Sequence, residues 1–227
     1  MKYLSIIASA FLLFSCGDSS TNDSTTSNEI EIPAEPEDVI ADFQLDTENS
    51  SADWDRFLDQ KATKKQIKLF GALVDVEMGP LTLNMTGNVI PVGGAMTTTN
   101  EECTAASLIF DMSTFKFAEE SGEGLFNTKD YPESELTFDS FEVLEGDEDH
   151  NYTVTMTLTI QDHSEEIVAP LNIQTSEDSG SISGDISFNT LDFPLRDNAK
   201  KSEVNTDEIT VHLDLNYLIG GEELAEE

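Results

Sequence analysis

The sequence predicts an all-β fold, about eight antiparallel strands behind a disordered acidic tether. Three observations predict it. Apolar residues recur at every second position through most of 51–219, the period of a half-buried strand. Short clusters of Gly, Pro, Asp and Ser separate these runs, and such links join antiparallel neighbours. The stretch before residue 51 is polar and acidic, apart from an apolar leader.

The leader comes first. Met1-Lys2 gives a short positive start, Tyr3 to Phe14 is mostly apolar, and Leu13-Phe14-Ser15-Cys16 ends the run with a small residue before a cysteine. This pattern reads as a secretory signal over 1–15 closing on a lipobox. The alternative is an ordinary signal peptide with a chance cysteine. The run is shorter than the ~20 apolar residues of a membrane-spanning helix. Cleavage before Cys16 and acylation of its thiol would tether the protein to a bacterial membrane. By analogy with sorting rules, Gly17-Asp18 favours the outer membrane.

Residues 16–50 are rich in Ser, Thr, Asp, Glu and Pro. They hold too little apolar surface to offset the entropy of ordering, which predicts a flexible tether reaching roughly 5–6 Å × √n for n residues. An apolar run from Ile67 to Met78 follows, then a short one at Leu81, Leu83 and Met85. Leu108, Phe110 and Met112 alternate with polar or smaller partners, and Leu136 and Phe138 sit among Glu135, Thr137 and Asp139. The cleanest strand is Tyr152 to Ile160, where every second residue is Thr. Ile167 to Ile173, Ile182 to Phe188 and Ile209 to Tyr217 complete the set. Turn signals lie at Gly79-Pro80, Gly93-Gly94, Glu145 to Asp149, Asp162 to Ser164 and Ser179-Gly180. The alternation lapses from Gly122 to Tyr131, which predicts a short helical turn. Residues 220–227 form an acidic tail. A sheet of this kind either stacks as a sandwich or closes as a barrel.

Charge narrows the function. The chain carries 46 acidic and 11 basic residues, a formal net charge of −35. That balance excludes nucleic acid as a partner, because its affinity comes mainly from Lys and Arg at phosphates. It also opposes docking on anionic headgroups through the protein surface as a whole. Once Cys16 is acylated, Cys103 has no disulfide partner, and the carboxylates of Glu101 and Glu102 beside it disfavour a reactive thiolate. His150, His163 and His212 are far apart, with no partner at metal spacing. The acidic run from Glu145 to His150 lacks the spacing of a Ca²⁺ loop. No Gly-x-Ser-x-Gly elbow occurs. The residues offer no catalytic constellation and no metal site, so an enzyme is not expected.

The segment from Gly124 to Phe138, containing Phe126-Asn127, Tyr131-Pro132 and Ser134-Glu135-Leu136-Thr137-Phe138, resembles the middle of the YceI-like family. Leu158-Thr159-Ile160, the turn after it, and Phe188 to Phe193 resemble the family's later elements in order and spacing. Asn189 stands where an Arg is usual, Pro194 where a Gly is usual, and Asp162 replaces a Gly in a tight turn, an αL position that Asp takes at some cost. The resemblance covers roughly residues 52–219. It implies a lipocalin-like antiparallel barrel of eight strands over 51–219 that holds a long isoprenoid or quinone-like chain. It implies no cofactor beyond such a ligand. The inward candidates for contacting it are Phe110, Met112, Phe138, Met156, Leu158, Phe188 and Leu213, with Phe126 and Tyr131 on a segment capping one mouth. A barrel of eight strands is just wide enough to fill its interior or to hold one slender ligand. The expected function is therefore a membrane-anchored envelope lipoprotein that binds an apolar lipid. A packed barrel that binds a protein partner is the alternative, and the sequence leaves a homodimer open.

Overall fold

The computed structural model describes residues 38–69, 72–117, 120–121, 123–196 and 201–220. The signal, Cys16 and most of the tether and of the acidic tail lie outside them. The elements are β1 (Ile40–Leu45), β2 (Ser51–Gln60), β3 (Thr63–Leu69), β4 (Ala72–Met78), β5 (Leu81–Thr99), β6 (Glu102–Asp111), a 3₁₀ turn (Met112–Thr114), β7 (Lys116–Phe117), β8 (Glu120–Ser121), α1 (Glu123–Phe126), β9 (Glu133–Val143), β10 (Tyr152–Ile160), β11 (His163–Thr175), β12 (Ser179–Asn189) and β13 (Val204–Ile219). Among the described residues no helix is long and apolar enough to cross a membrane.

Eight antiparallel strands close into a ring in the order β2-β5-β6-β9-β10-β11-β12-β13, with β13 pairing back onto β2. The alternation drives this closure. Val154, Met156, Leu158 and Ile160 of β10 are buried while the threonines between them are not, and β13 buries Ile209, Val211, Leu213, Leu215 and Tyr217 in the same way. Each strand thus lends one apolar face to a single interior core, and closure leaves no sheet edge to protect.

The structure moves several boundaries. Residues 40–45, read as tether, form β1, which pairs with both β5 and β13. The signal is Phe43, which is fully buried in the core, with Ala41 and Leu45 packed against its edge. β1 and β2 together make one interrupted stave. The break between them is tied down by Asp46, whose carboxylate accepts from the backbone N–H groups of Glu48 and Asn49. Asn216 of β13 then exchanges hydrogen bonds with Ser50.

Gly93-Gly94 is not a turn but part of β5, just after a bulge at Val92, and at Gly94 (φ +159°) a Cβ would lie 2.3 Å from the Ser107 carbonyl oxygen. Ser179-Gly180 begins β12 rather than breaking it, and Ser176 and Ser179 close the turn before it. The two-residue turn from β10 to β11 puts its positive φ on Gln161, at 58°, not on Asp162. Ile67 and Met78 belong to opposite strands of a hairpin, β3–β4, rather than to one run. The lapse in alternation does hold a helical turn, α1, followed by a turn at Asn127.

Candidate functional site: the lidded end of the barrel

The two ends of the ring differ. One, the plain end, carries three short connections, β5–β6, β9–β10 and β11–β12, and the start of β1. The other, the lidded end, carries the β3–β4 hairpin, the 112–132 connection, the β10–β11 turn and the β12–β13 connection.

At the lidded end an aromatic chain crosses the aperture. Trp54 projects inward from β2 and stacks on Phe115, with ring centroids 4.5 Å apart and planes 7° apart. Phe115 meets Phe126 edge-on at 4.9 Å. The Phe126 carbonyl oxygen accepts from Gln161 Nε2 at 3.0 Å, just beyond β10. β2 and β10 lie opposite each other in the ring, so these contacts span its diameter. All three rings are buried, and offset or edge-on pairing adds to the stabilisation from burial. Tyr131 is half-exposed and donates its hydroxyl to Asp162 Oδ2 at 3.0 Å, fixing the far end of the segment to the β10–β11 turn. The neighbouring carboxylate raises the Tyr131 phenol above its usual range, first through that hydrogen bond and then through its charge.

The other half of the aperture is covered by Phe193, fully buried in the β12–β13 connection, whose ring meets Phe188 and His163 edge-on, each at 5.7 Å. Beside it lies a buried ionic cluster. Asp207 of β13 takes a bidentate pair from Arg56 at 2.5 and 2.7 Å and a contact from Arg196 at 2.5 Å. Thr190 donates to the same carboxylate and accepts from Arg196 Nη1. Burial alone would raise the Asp207 carboxyl. Hydrogen bonds from Arg56 and Thr190, and the two guanidinium charges, outweigh it and hold the group below the usual carboxylate range.

Beneath this cover the interior is apolar and nearly full. An internal cavity of about 20 Å³ lies within a lining that includes Val89, Phe110, Met112, Phe115, Leu158 and Phe188. Four of the sequence candidates, Phe110, Met112, Leu158 and Phe188, therefore meet at one void. Phe138 and Met156 sit deeper as direct cross-strand partners, both fully buried. Leu213 is buried on the facing wall. Phe126 and Tyr131 belong to the covering segment and do not line the void.

Sequence reasoning missed Trp54, Phe115 and Phe193, and the Arg56–Asp207–Arg196 cluster. Trp54 had a signal, since Ala52, Trp54 and Leu58 alternate with Asp53, Asp55 and Asp59, but Arg56 at the third inward position hid it. Cys103 is buried, and desolvation pushes its thiol up to about 12, which makes it inert at neutral pH. Among the described residues no group of His, Cys, Asp or Glu is arranged to hold a metal ion. Asp147 of the acidic run instead accepts from the backbone of Asp149 and His150 in its own loop.

A model of the YceI-like domain matches residues 43–217. No curated protein matches the chain. Among solved structures it is similar to BcnA of Burkholderia cenocepacia, at 16% identity over 76% of this chain and 98% of that one, with a TM-score of 0.46. It is also similar to a polyisoprenoid binding domain from Saccharophagus degradans implicated in plant cell wall breakdown, at 16% identity over 78% and 98% of the two chains, with a TM-score of 0.48.

Proposed function

Because the chain belongs to the YceI-like domain family, we propose that its barrel takes up one long apolar chain, of isoprenoid or quinone-tail type, through the lidded end. We further propose that an acylated Cys16 holds the protein at the outer membrane of a bacterial envelope. The observation that carries the lipid reading is the apolar void under a removable cover. Phe110, Met112, Leu158 and Phe188 converge there, and Gln161 and Tyr131 hold the cover to the β10–β11 turn by one hydrogen bond each. No chemistry is required of such a protein. Each CH₂ group withdrawn from water contributes about 0.8 kcal/mol, and thioether side chains such as Met112 and Met156 adapt to irregular apolar ligands.

A void of about 20 Å³ has room for roughly one water molecule, against ~300–1,000 Å³ for typical ligand pockets. Uptake therefore requires Phe115 and Phe126 to swing out and the methionines to repack. The same full interior favours a second reading, a packed barrel that serves as a protein-binding module on the cell envelope.

Native mass spectrometry of the protein purified without detergent, with its organic extract analysed beside it, separates the two. The lipid reading expects an added mass matching an isoprenoid, lost when Phe138 and Met156 are both replaced by Trp while circular dichroism shows the barrel retained. A bare protein mass that stays bare when quinone or polyprenol is added supports the packed barrel and rejects the carrier.

A further inference from the structure

The two-residue turn between β10 and β11 needs a positive φ, and a glutamine takes it. Gln161 has φ 58°. A hairpin loop whose first central residue alone has positive φ normally holds glycine there, because a Cβ crowds the following carbonyl oxygen. A side chain kept in such a conformation at the mouth of a candidate site points to a use for it.

That use is visible. Gln161 Nε2 donates to the Phe126 carbonyl oxygen at 3.0 Å, at the end of α1. The next residue, Asp162, accepts from the Tyr131 hydroxyl at 3.0 Å. The third, His163, sets its ring edge-on to Phe193 at 5.7 Å. Three consecutive residues of one tight turn thus each hold a different point of the cover.

The piece held by the first two is a unit. The backbone N–H groups of Asp130 and Tyr131 both donate to the Asn127 carbonyl oxygen at 3.0 Å, and Asn127 Nδ2 donates to Asp130 Oδ2 at 3.0 Å. Residues 127–131 therefore fold on themselves, and Gln161 and Asp162 grip the two ends of that fold. When they let go it can lift as one piece, drawing the Phe126 ring off Phe115, which in turn covers Trp54.

We propose that Gln161 is the latch of the lidded end: its strained backbone aims the side-chain amide at the Phe126 carbonyl, and this grip sets how often the cover opens over the apolar void. Asp162 and His163 complete the hold, on the far end of the segment and on Phe193. On the carrier reading, on which this rests, what passes the opened mouth is one long apolar chain. Burial of the Phe126 ring supplies the larger part of closing. The hydrogen bond multiplies the closed population by a factor of roughly 3–10, enough to set an exchange rate. Glycine at 161 would relax the turn but could not hold the cover.

Trp54 reports on the latch. It is the only tryptophan in the chain and is 1% exposed beneath the cover, so its indole N–H gives one signal whose solvent exchange needs opening. The test follows that signal by NMR in the full-length chain, with the paired β12 amides of Gly180–Ser183 at the plain end as control. Gln161→Glu keeps shape and strain, but a carboxylate has no donor. Gln161→Gly removes both strain and donor. Exchange at Trp54 is expected to quicken about threefold or more in each variant, with the control amides unchanged. The melting temperature of Gln161→Gly should not fall, since glycine takes a positive φ freely. Indole exchange unchanged in both variants overturns the proposal. So does faster exchange at Trp54 that Gly180–Ser183 match, which would mean general loosening. Polyprenol added to the three proteins, read as bound mass, should load faster in both variants than in the parent. Faster indole exchange with polyprenol bound by none of the three would reject the carrier reading and leave the latch standing.

Discussion

The plain end and the lidded end are closed by different physics. At the plain end the strands simply turn. Tyr217 is fully buried there and its hydroxyl donates to the Ser107 carbonyl oxygen at 3.2 Å, while Phe43 and Met96 fill the space below the turns. The closure is covalent and local, and opening it would mean unzipping ladders. At the lidded end the closure is tertiary. Rings from two connections, 112–132 and β12–β13, meet over the aperture with Trp54 of β2, and a buried ion cluster braces the wall beside them. A cover of this kind can leave without unpairing two barrel strands, although Thr114 Oγ1 would release the Ile90 amide of β5. The end that can open is therefore the end that gathers the aromatics and the basic residues.

The largest effect expected from breaking this contrast comes at Asp207. Asp207→Ala leaves Arg56 and Arg196 facing each other without their carboxylate, and losing one partner of a buried ionic group costs about 3–5 kcal/mol. At ~2–4 °C per kcal/mol for a domain of this size, thermal unfolding should fall by about 10 °C, measured by circular dichroism. Truncating Thr97, which donates to Asp42 on the exposed face of the plain end, should change it little.

Two glycines sharpen the contrast further. A Cβ on Gly87 would lie 2.4 Å from Trp54 Cζ2, in a ring already stacked on Phe115. A Cβ on Gly180 would lie 2.5 Å from Met96 Sδ, in a flexible thioether. Gly87→Ala should cost about 1–3 kcal/mol by overpacking, and Gly180→Ala distinctly less. Urea denaturation of the two variants checks the order, and equal midpoints would mean that the two ends yield alike.

Much of this barrel could be read from residues, and the reason is periodicity. Tyr152 to Ile160 and Ile209 to Tyr217 announce their buried face because every other residue is Thr, Asp, His or Asn. The lidded end announces little. Phe115 follows a 3₁₀ turn, Phe126 ends a four-residue helix and Phe193 sits within an irregular connection, so no period places them. Their meeting depends on ring closure bringing β2 opposite β10, which no local pattern encodes. Arg56 misleads for a physical reason. It occupies an inward position that alternation reserves for apolar residues, and its partner Asp207 lies 151 residues away. The close approach of Gly94 to the Ser107 carbonyl was hidden because a glycine pair reads alike as a turn and as a close backbone approach.

A smaller effect should separate opening from stability. Tyr131→Phe removes the hydroxyl that reaches Asp162 from a part-exposed site, which costs no more than about 1 kcal/mol. Hydrogen exchange at the described amides of 112–132 should quicken, while amides around the β5–β6 turn exchange as before. Equal protection in both proteins would mean that the cover is held by its rings alone.

The smallest effect concerns the wall between the ends and comes from titration. His212 bridges Asp185 Oδ1 at 2.7 Å and Asp55 Oδ2 at 3.1 Å on the outer face of the sheet. Those hydrogen bonds, Asp185 first, raise the imidazole above its ordinary value despite some desolvation. A group raised on folding stabilises fully below its unfolded value, near 6.5, and that contribution disappears as pH rises through the folded value. Asp207 acts with the opposite sign. Its carboxyl is lowered on folding, so its contribution is full above the unfolded carboxylate value, near 3.9, and is lost as pH falls through the folded one. His212 is partly exposed, so solvent screens its pairs to less than about 1 kcal/mol. His212→Gln should therefore flatten only the neutral-to-alkaline slope of the stability curve, whereas Asp207→Asn should flatten the acid limb. A His212→Gln protein that loses its acid limb instead would show that the outer pairs, not the buried cluster at the lidded end, govern acid unfolding.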